Sequence, residues 1–469
     1  MGLCEKQLTC SLDRGSSWED PRSRSTQRRC PRRHRALSAL TLAMRSVFAA
    51  RRAVLVFAVL FAASLPALPW VLSLVYPLAA AAVMPALPEE NVRVTIAFIG
   101  DVIPHERLVD SARVARTRPG DGENPRGGTA AAAYDFTPIL RHVAPYLRAA
   151  DYAVANLETP LAGPESGYTG FPLFNAPLEL ALALRQAGID LCTTANNHCL
   201  DRGWSGLVAT IDRLAQAGLA HVGTNRSLTE SQTPLVVDLK GVHVGFLAYT
   251  ETLNGHSPPR ERGTYAVNRL DVDRVASDAA LARLLGAEIV VALVHWGDEY
   301  QRQPHARQIA VTRALLESEA VLSRGVDVII GHHSHVVQPI ARVGGLAGGP
   351  GKYVAYSLGN FLSNQPWRYS DSGLIAYLHL EKSGFRARVT GLSYLPVYVQ
   401  RDVSRFPTRY RALPVLPGRE TLSDLPLSRA QRARLTQIPA ELDPLLFRPE
   451  EGVQPLDPSA LGLSETPAR

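Results

Sequence analysis

VDVIIGHHSH, residues 326–335, is the stretch on which the reading of this chain turns. Val326, Val328, Ile329 and Ile330 around a single Asp327 read as a buried strand, and Gly331 is expected to open a loop at its end. Three imidazoles in five residues occupy that loop: His332, His333 and His335. Core packing does not account for three such rings at a strand end. In an extended loop alternate side chains share a face, so His333 and His335 are expected to converge on one ion while His332 points elsewhere. Imidazole suits zinc, manganese, iron and similar ions.

Working outward, other apolar runs also end in polar residues. VTIAFIG (94–100) runs into Asp101, YAVAN (152–156) into Asn156-Leu157-Glu158, LCTTA (191–195) into Asn196-Asn197-His198, and EIVVALV (288–294) into His295-Trp296-Gly297. Ligands of open α/β sheets collect at the carboxyl ends of strands, so these four clusters and the His loop are expected to share one rim. Carboxylates, an Asn amide oxygen and several imidazoles suit a pair of divalent ions bridged by a carboxylate. A closed structural zinc site is not expected, because such sites generally use Cys.

Between the strands lie segments of helical spacing: 136–150 with Asp135 as a plausible cap, 177–188 and 204–218 each stopped by Gly, and others near 271–286 and 304–323. PLVVDLK and VHVGFLAY, joined at Gly241, read as a hairpin. Early β-α alternation followed by antiparallel strands predicts an α/β body with a mixed sheet or two packed sheets over about residues 91–400. Residues 401–469, rich in Pro, Arg and Leu without sustained periodicity, read as a loosely ordered tail packing partly on the body.

Residues 1–52 hold eleven Arg and one Lys against four acids, a net of +8, whereas the whole chain carries +7. The basic character therefore belongs to the leader, which reads as disordered, and a nucleic-acid surface on the body is not expected. Ala53 to Met84 contains no charged residue, which exceeds the roughly 20 needed to cross a bilayer. Arg45, Arg51 and Arg52 precede this run, and Glu89 and Glu90 follow it, so the N-terminus is expected inside and the main domain outside, periplasmic or extracellular. An uncleaved single-pass signal anchor is the favoured reading, and a cleaved signal peptide with its core at 53–65 is the other. Met44 is a candidate start, since Met44 to Arg52 makes a normal basic n-region. Cys192 and Cys199, the two body cysteines, could form one disulfide but read better as small buried fillers.

GDVIPHERL, ANLETPLAG, TTANNHCLDRG, VALVHWGDEY, GHHSHVVQPI and YSLGNFL together resemble, in order and spacing, the capsule-synthesis (CapA) family linked to poly-γ-glutamate, itself similar to calcineurin-like metallophosphatases. The resemblance covers about residues 94–400. It implies a metallophosphatase-like α/β fold of two packed mixed sheets flanked by helices, here preceded by the transmembrane helix. It also implies two divalent ions (Mn, Zn or Fe), with Asp101, Glu158 at the bridging position, Asn197, His295, His333 and His335 as ligands, and His198 assisting the leaving group. His105, Asp201, Glu299 and Asn360 stand as residues that orient ligands or touch substrate, with Asp201 and Glu299 matched to His198 and His295. The metallophosphatase first motif is Asp-x-His, but Ile103 stands at its third place and His105 lies two residues further on, so one ligand is absent, supplied by His105, or replaced by water. The implied roles are metal-dependent hydrolysis of an anionic polymer or phosphoester during capsule synthesis, or non-catalytic assistance to capsule synthase subunits in the membrane.

Overall fold

The computed structural model describes residues 91–114, 133–317, 325–344, 351–416, 422 and 425–463, all within the unit Glu89–Arg469. The leader at 1–52 and the anchor expected at 53–84 lie outside the described residues. Among the described residues no helix is long and apolar enough to cross a membrane.

The apolar runs form β1 (Val92–Val102), β2 (Tyr152–Leu157), β3 (Leu191–Thr193) after helix α1 (Leu178–Ala187), and β4 (Ala220–Val222) after α2 (Gly203–Gln216). These four strands are parallel neighbours. A second sheet opens with the hairpin β5 (Leu235–Leu239) and β6 (Val242–Thr250). Lys240 (φ 56°) and Gly241 (φ 84°) supply its two left-handed turn positions. β7 (Ile289–His295) follows α3 (Val272–Leu284), and β8 (Val328–His332) follows α4 (Ala306–Leu316). β6, β7 and β8 are parallel, and β9 (Ile340–Val343) and β10 (Lys352–Ala355) complete the order β9-β10-β8-β7-β6-β5.

The chain then returns to the first sheet through β11 (Asn360–Leu362), β12 (Ser372–Ser383) and β13 (Arg386–Asp402), with β12 antiparallel to both β1 and β13. Alternation along the strands explains the layering. Val94, Ile96 and Phe98 of β1 face Val291, Leu293, Val328 and Ile330 of β7 and β8 in one core between the sheets. Ala97 and Ile99 face Leu180 and Leu184 of α1 on the outside. Val290, Ala292 and Val294 face α3 and α4 on the other outside. With period two and both faces covered, these strands are apolar at nearly every position. Burying a side chain such as Phe98 contributes about 1.5–3 kcal/mol.

Three expectations change. The single helix expected over 136–150 is two short ones, Thr137–Leu140 and Ala144–Arg148, each with a proline in its first turn. Gly331 does not open a loop but lies within β8, where a Cβ would sit 1.9 Å from the Tyr356 carbonyl oxygen. The segment after Asp402 builds more than a tail: β14 (Arg409–Pro414) extends the first sheet, α5 (Arg429–Leu446) puts Ile438, Leu442 and Leu446 into the inter-sheet core, and β15 (Val453–Pro455) pairs with β13. Cys192 and Cys199 are buried and free of any disulfide.

Candidate metal centre

The carboxyl ends of the parallel strands from both sheets meet at one rim. In-register pairing sets Asp101 of β1 beside Asn156 of β2 and Asn360 of β11, and sets His295 of β7 beside His332 of β8. Glu158 follows β2, Asn197 follows β3, and His333 to His335 follow β8. The larger sheet thus delivers carboxylates and amides, and the smaller sheet delivers imidazoles.

Asp101 is fully buried and well supplied. It accepts from Asn156 Nδ2 at 2.8 Å and lies 3.1 Å from His335 Nδ1. His332 Nδ1, at 3.3 Å, is close enough for charge attraction but makes no hydrogen bond. Burial alone would raise the Asp101 pKa, but His332 and His335 outweigh it and hold the group well below the usual carboxylate range.

Glu158 is its opposite. It too is fully buried, yet neither carboxylate oxygen has a hydrogen-bond donor. The nearest nitrogens are His295 Nε2 at 3.4 Å and His335 Nε2 at 3.7 Å. Burial pushes Glu158 up to about 8, with Asp101 adding repulsion and His335 opposing. His335 is itself raised to about 9, because Glu158 and Asp101 overcome its burial. An ionised carboxylate without donors is costly in a dry interior, so Glu158 calls for either a proton or a cation.

Among the described residues, donor atoms within 4.8 Å of one another fall into three groups: Glu158, His295 and His333; Asp101, Glu158 and His335; and Glu299, His333 and His335. Glu158, His333 and His335 each belong to two of them, and Glu158 is the carboxylate that the first two groups share. His295 Nε2 lies 2.9 Å from Asn197 Oδ1, which adds the amide oxygen. Four ligands held about 2.1 Å from one tetrahedral ion stand about 3.4 Å apart. The donor set and the orphaned Glu158 oxygens fit divalent ions. Burial holds His295 and His333 well below the usual imidazole range, in the neutral form that ligation requires.

Around these groups stand the positioning residues. Asn360 Oδ1 lies 3.2 Å from His335 Nδ1, and the Asn360 amide is fixed by donating to Gln365 and Ser370. His198 Nδ1 lies 2.8 Å from Asp201 Oδ2, which also accepts from the Phe174 amide at 2.7 Å. That leaves His198 Nε2 for a ligand. Glu299 groups with His333 and His335 rather than with His295, which it was expected to orient. His105 falls in none of the three groups. Its Nδ1 lies 3.0 Å from the Ile103 carbonyl, its ring packs edge-on against Phe174, and burial lowers its pKa to about 4.

His332 is the correction at this rim: it faces Asp101 and not elsewhere. The loop is not extended. His333 (φ 90°) and His335 (φ 56°) both occupy the left-handed region, so alternation does not govern where these rings point. Asn156 was not singled out from sequence. It donates to Asp101, accepts from Thr193 Oγ1 at 3.0 Å and lies 3.4 Å from His295 Nδ1. Its signal was its place at a strand end two residues before Glu158. Asn254, which accepts from Asn197 Nδ2 at 3.3 Å, left no such signal.

The sequence profile described as "Bacterial capsule synthesis protein PGA_cap" matches residues 95–365, a span that contains all six candidate ligands. The chain belongs to this family. The capsule biosynthesis protein CapA of Bacillus anthracis is 30% identical over 312 residues, which is 65% of this chain and 68% of that protein. The PGA biosynthesis protein CapA of Bacillus subtilis (strain 168) is 30% identical over 283 residues, 59% of this chain and 70% of its own length. A probable polyglutamine synthesis accessory protein of Mycobacterium tuberculosis is 28% identical over 159 residues, covering 32% of this chain and 40% of its own. In this capsule synthesis family member the two sheets meet at a rim of carboxylates and imidazoles.

Proposed function

We propose that this capsule synthesis family member is a divalent-metal-dependent hydrolase acting on an amide or phosphoester bond of an anionic capsule polymer such as poly-γ-glutamate. The observation that carries the reading is Glu158, whose two fully buried carboxylate oxygens lack donors amid His295, His333 and His335. Asp101, Glu158, Asn197, His295, His333 and His335 would hold two ions. Bound there, divalent ions supply Lewis-acid polarisation of the scissile group and lower the pKa of water. Asp201 fixes the His198 ring through Nδ1, so that Nε2 is left to take a proton from the attacking water and pass it to the leaving group. Asn156 and Asn360 hold Asp101 and His335 in place. The uncharged run at 53–84 behind Arg45, Arg51 and Arg52 supports placing this unit outside the cytoplasmic membrane on a single N-terminal anchor.

One observation favours a second reading, in which the same pocket holds polyanion through metal without turnover, as an accessory of a membrane polymer synthase. Ile103, 2% exposed, offers no donor where the related metallophosphatase motif has His, and His105 is engaged elsewhere. The word "accessory" in the mycobacterial relative's name supports it too.

The experiment is metal analysis of the purified full chain, followed by hydrolysis of γ-glutamyl oligomers and phosphodiesters with and without chelator. Metal-dependent turnover that His198→Ala abolishes, with metal retained, is the expected result. Tight metal without turnover on any of these substrates would favour the accessory. A chain that takes up neither Mn nor Zn on reconstitution would overturn both.

A further inference from the structure

We infer that Arg302 and Arg368 form a carboxylate-binding subsite that grips a polycarboxylate chain as it leaves the metal centre. The inference rests on the proposal that an anionic polymer is what this site handles, and names the residues that would recognise it.

Two guanidiniums lie against a single ring. Arg302 Cζ is 4.2 Å and Arg368 Cζ 4.4 Å from the centroid of Tyr369. The ring face attracts each cation but supplies no counter-charge. Among the described residues neither arginine forms an ion pair with a carboxylate. The acids adjoining this region, Asp371 and Glu441, are both held by Arg434. Arg302 donates only to the Glu441 backbone carbonyl, and Arg368 is exposed. Two guanidiniums held on one ring without a carboxylate partner are available to an anion, and the planar fork of Arg matches a carboxylate better than any other side chain.

The placement ties this pair to the metal centre. The loop bearing Arg302 is bonded to the His loop: the Tyr300 amide donates to the Ser334 carbonyl at 2.7 Å, and Gln338 Nε2 donates to the carbonyls of Gln301 and Gln303 at 2.9 and 3.2 Å. The loop bearing Arg368 is bonded to Asn360, which touches His335 and donates to the Ser370 carbonyl at 2.8 Å. Between the two lies an aromatic path. The Tyr300 ring is 6.0 Å from that of His335, and the Trp367 ring, 57% exposed, is 5.8 Å from Tyr300. Tyr300 (φ 62°) and Tyr369 (φ 68°) are both held in the left-handed region, a conformation that persists only where the surroundings enforce it, as at ligand clamps. Aromatic faces beside the His loop suit the methylene stretches of a γ-linked backbone, and the arginines suit its carboxylates. Of the two acids on the same segment, Glu299 groups with His333 and His335, and among the described residues neither it nor Asp298 forms an ion pair with either arginine.

The test is fluorescence-anisotropy binding of a labelled γ-glutamyl oligomer of about ten residues to the Mn-loaded full chain, with the uncharged γ-glutaminyl oligomer as control. Arg302→Gln combined with Arg368→Gln is expected to weaken binding at least about tenfold, to reduce its salt dependence, and to leave bound metal unchanged. Lys at both positions, which keeps the charge, is expected to recover part of the loss. Because Arg302 also fixes the Glu441 carbonyl, Arg368→Glu at an exposed position carries the test free of folding effects, with the same loss expected at an unchanged Tm. Equal affinity of wild type and Arg368→Glu, or equal affinity of wild type for both oligomers, would overturn the subsite alone. No binding of the γ-glutamyl oligomer by wild type would overturn the subsite and the polymer-directed function beneath it together.

Discussion

The buried rim at the strand ends and a cavity on another face of this protein differ in how far their polar groups are satisfied. The cavity, about 650 Å³, lies between β4, β6 and α3 and is lined by His221, Asn225, Arg226, Glu230, Asn268 and Asp278 among others. Its charges are matched. Arg226 pairs with Asp212 at 2.9 Å and Glu230 at 2.8 Å, Asp278 accepts from Tyr249 Oη and Arg274, and Asn225 donates to Tyr265 and Asn268. The rim has more need: among the described residues Glu158 lacks any donor, and both ring nitrogens of His332 lack a hydrogen bond. Buried polar groups are nearly always satisfied within the fold, so unmet demand marks chemistry better than empty volume does.

The largest expected effects come from removing that demand. Glu158→Gln and His335→Ala should each weaken metal binding at least about 100-fold, more than loss of a residue that only orients a ligand, as measured by competitive chelator titration. Metal-free Glu158→Gln should melt higher than metal-free wild type at pH 8, because it removes an unsatisfied charge. A variant that kept wild-type metal affinity would reduce the rim to the standing of the cavity. Next in size is His198→Ala. With Asp201 holding Nδ1, its loss should lower kcat about 10²- to 10⁴-fold while bound metal stays constant. Loss of metal along with rate would make His198 a structural part of the rim.

How much of this comparison could be read from sequence depends on which physical rule governs each residue. Asp101, Glu158, Asn197 and His295 were legible because doubly covered strands leave almost no polar positions, so a polar residue at a strand end stands out. Asn156 escaped because its role depends on register, Asp101 opposite Asn156, which one strand's sequence does not contain. His332 was misread because the turn dihedrals of His333 and His335 are imposed by packing, and local pattern treats them as extended. The C-terminal elements were hidden by composition: α5 carries Pro439 and Pro444 inside it, which obscures its helical period, yet it fills the inter-sheet core. The Arg302–Tyr369–Arg368 cluster joins two loops far apart in the chain, and nothing local foretells it.

A smaller effect separates the metal-free from the loaded rim. Folding raises Glu158 from 4.5 to about 8 and His335 from 6.5 to about 9, so between pH 7.5 and 9 these two groups hold more protons in the folded metal-free chain than in the unfolded one, while the buried His105, His295 and His333, lowered by folding, oppose them only near and below pH 6.5. Stability that rests on those protons is present below that window and lost as pH rises through it. The metal-free Tm should therefore fall from pH 7.5 to 9, by about 3–6 °C. With Mn or Zn bound the two groups no longer carry those protons, and the fall should flatten. Parallel melting curves with and without chelator across this range would expose a rim that behaves alike in both states.

The smallest effect is expected in the cavity, and it is the one that sharpens the contrast most. Arg226 is 45% exposed at its side chain and shares two carboxylates that also face solvent in part. Ion pairs so placed are screened and contribute little, so Arg226→Ala should cost no more than about 1 kcal/mol of stability. The substitution leaves Glu230 near His221, 3.6 Å away, which can take up part of the charge. Metal affinity, turnover and oligomer binding should all match wild type, since nothing along the cavity wall is hydrogen-bonded to Asp101, Glu158 or the His loop. Chemical denaturation alongside the three functional assays reads all four quantities on one variant. A selective loss of turnover, with stability intact, would mean that the satisfied cavity takes part in function after all, and that unmet polarity alone does not locate the working surface of this protein.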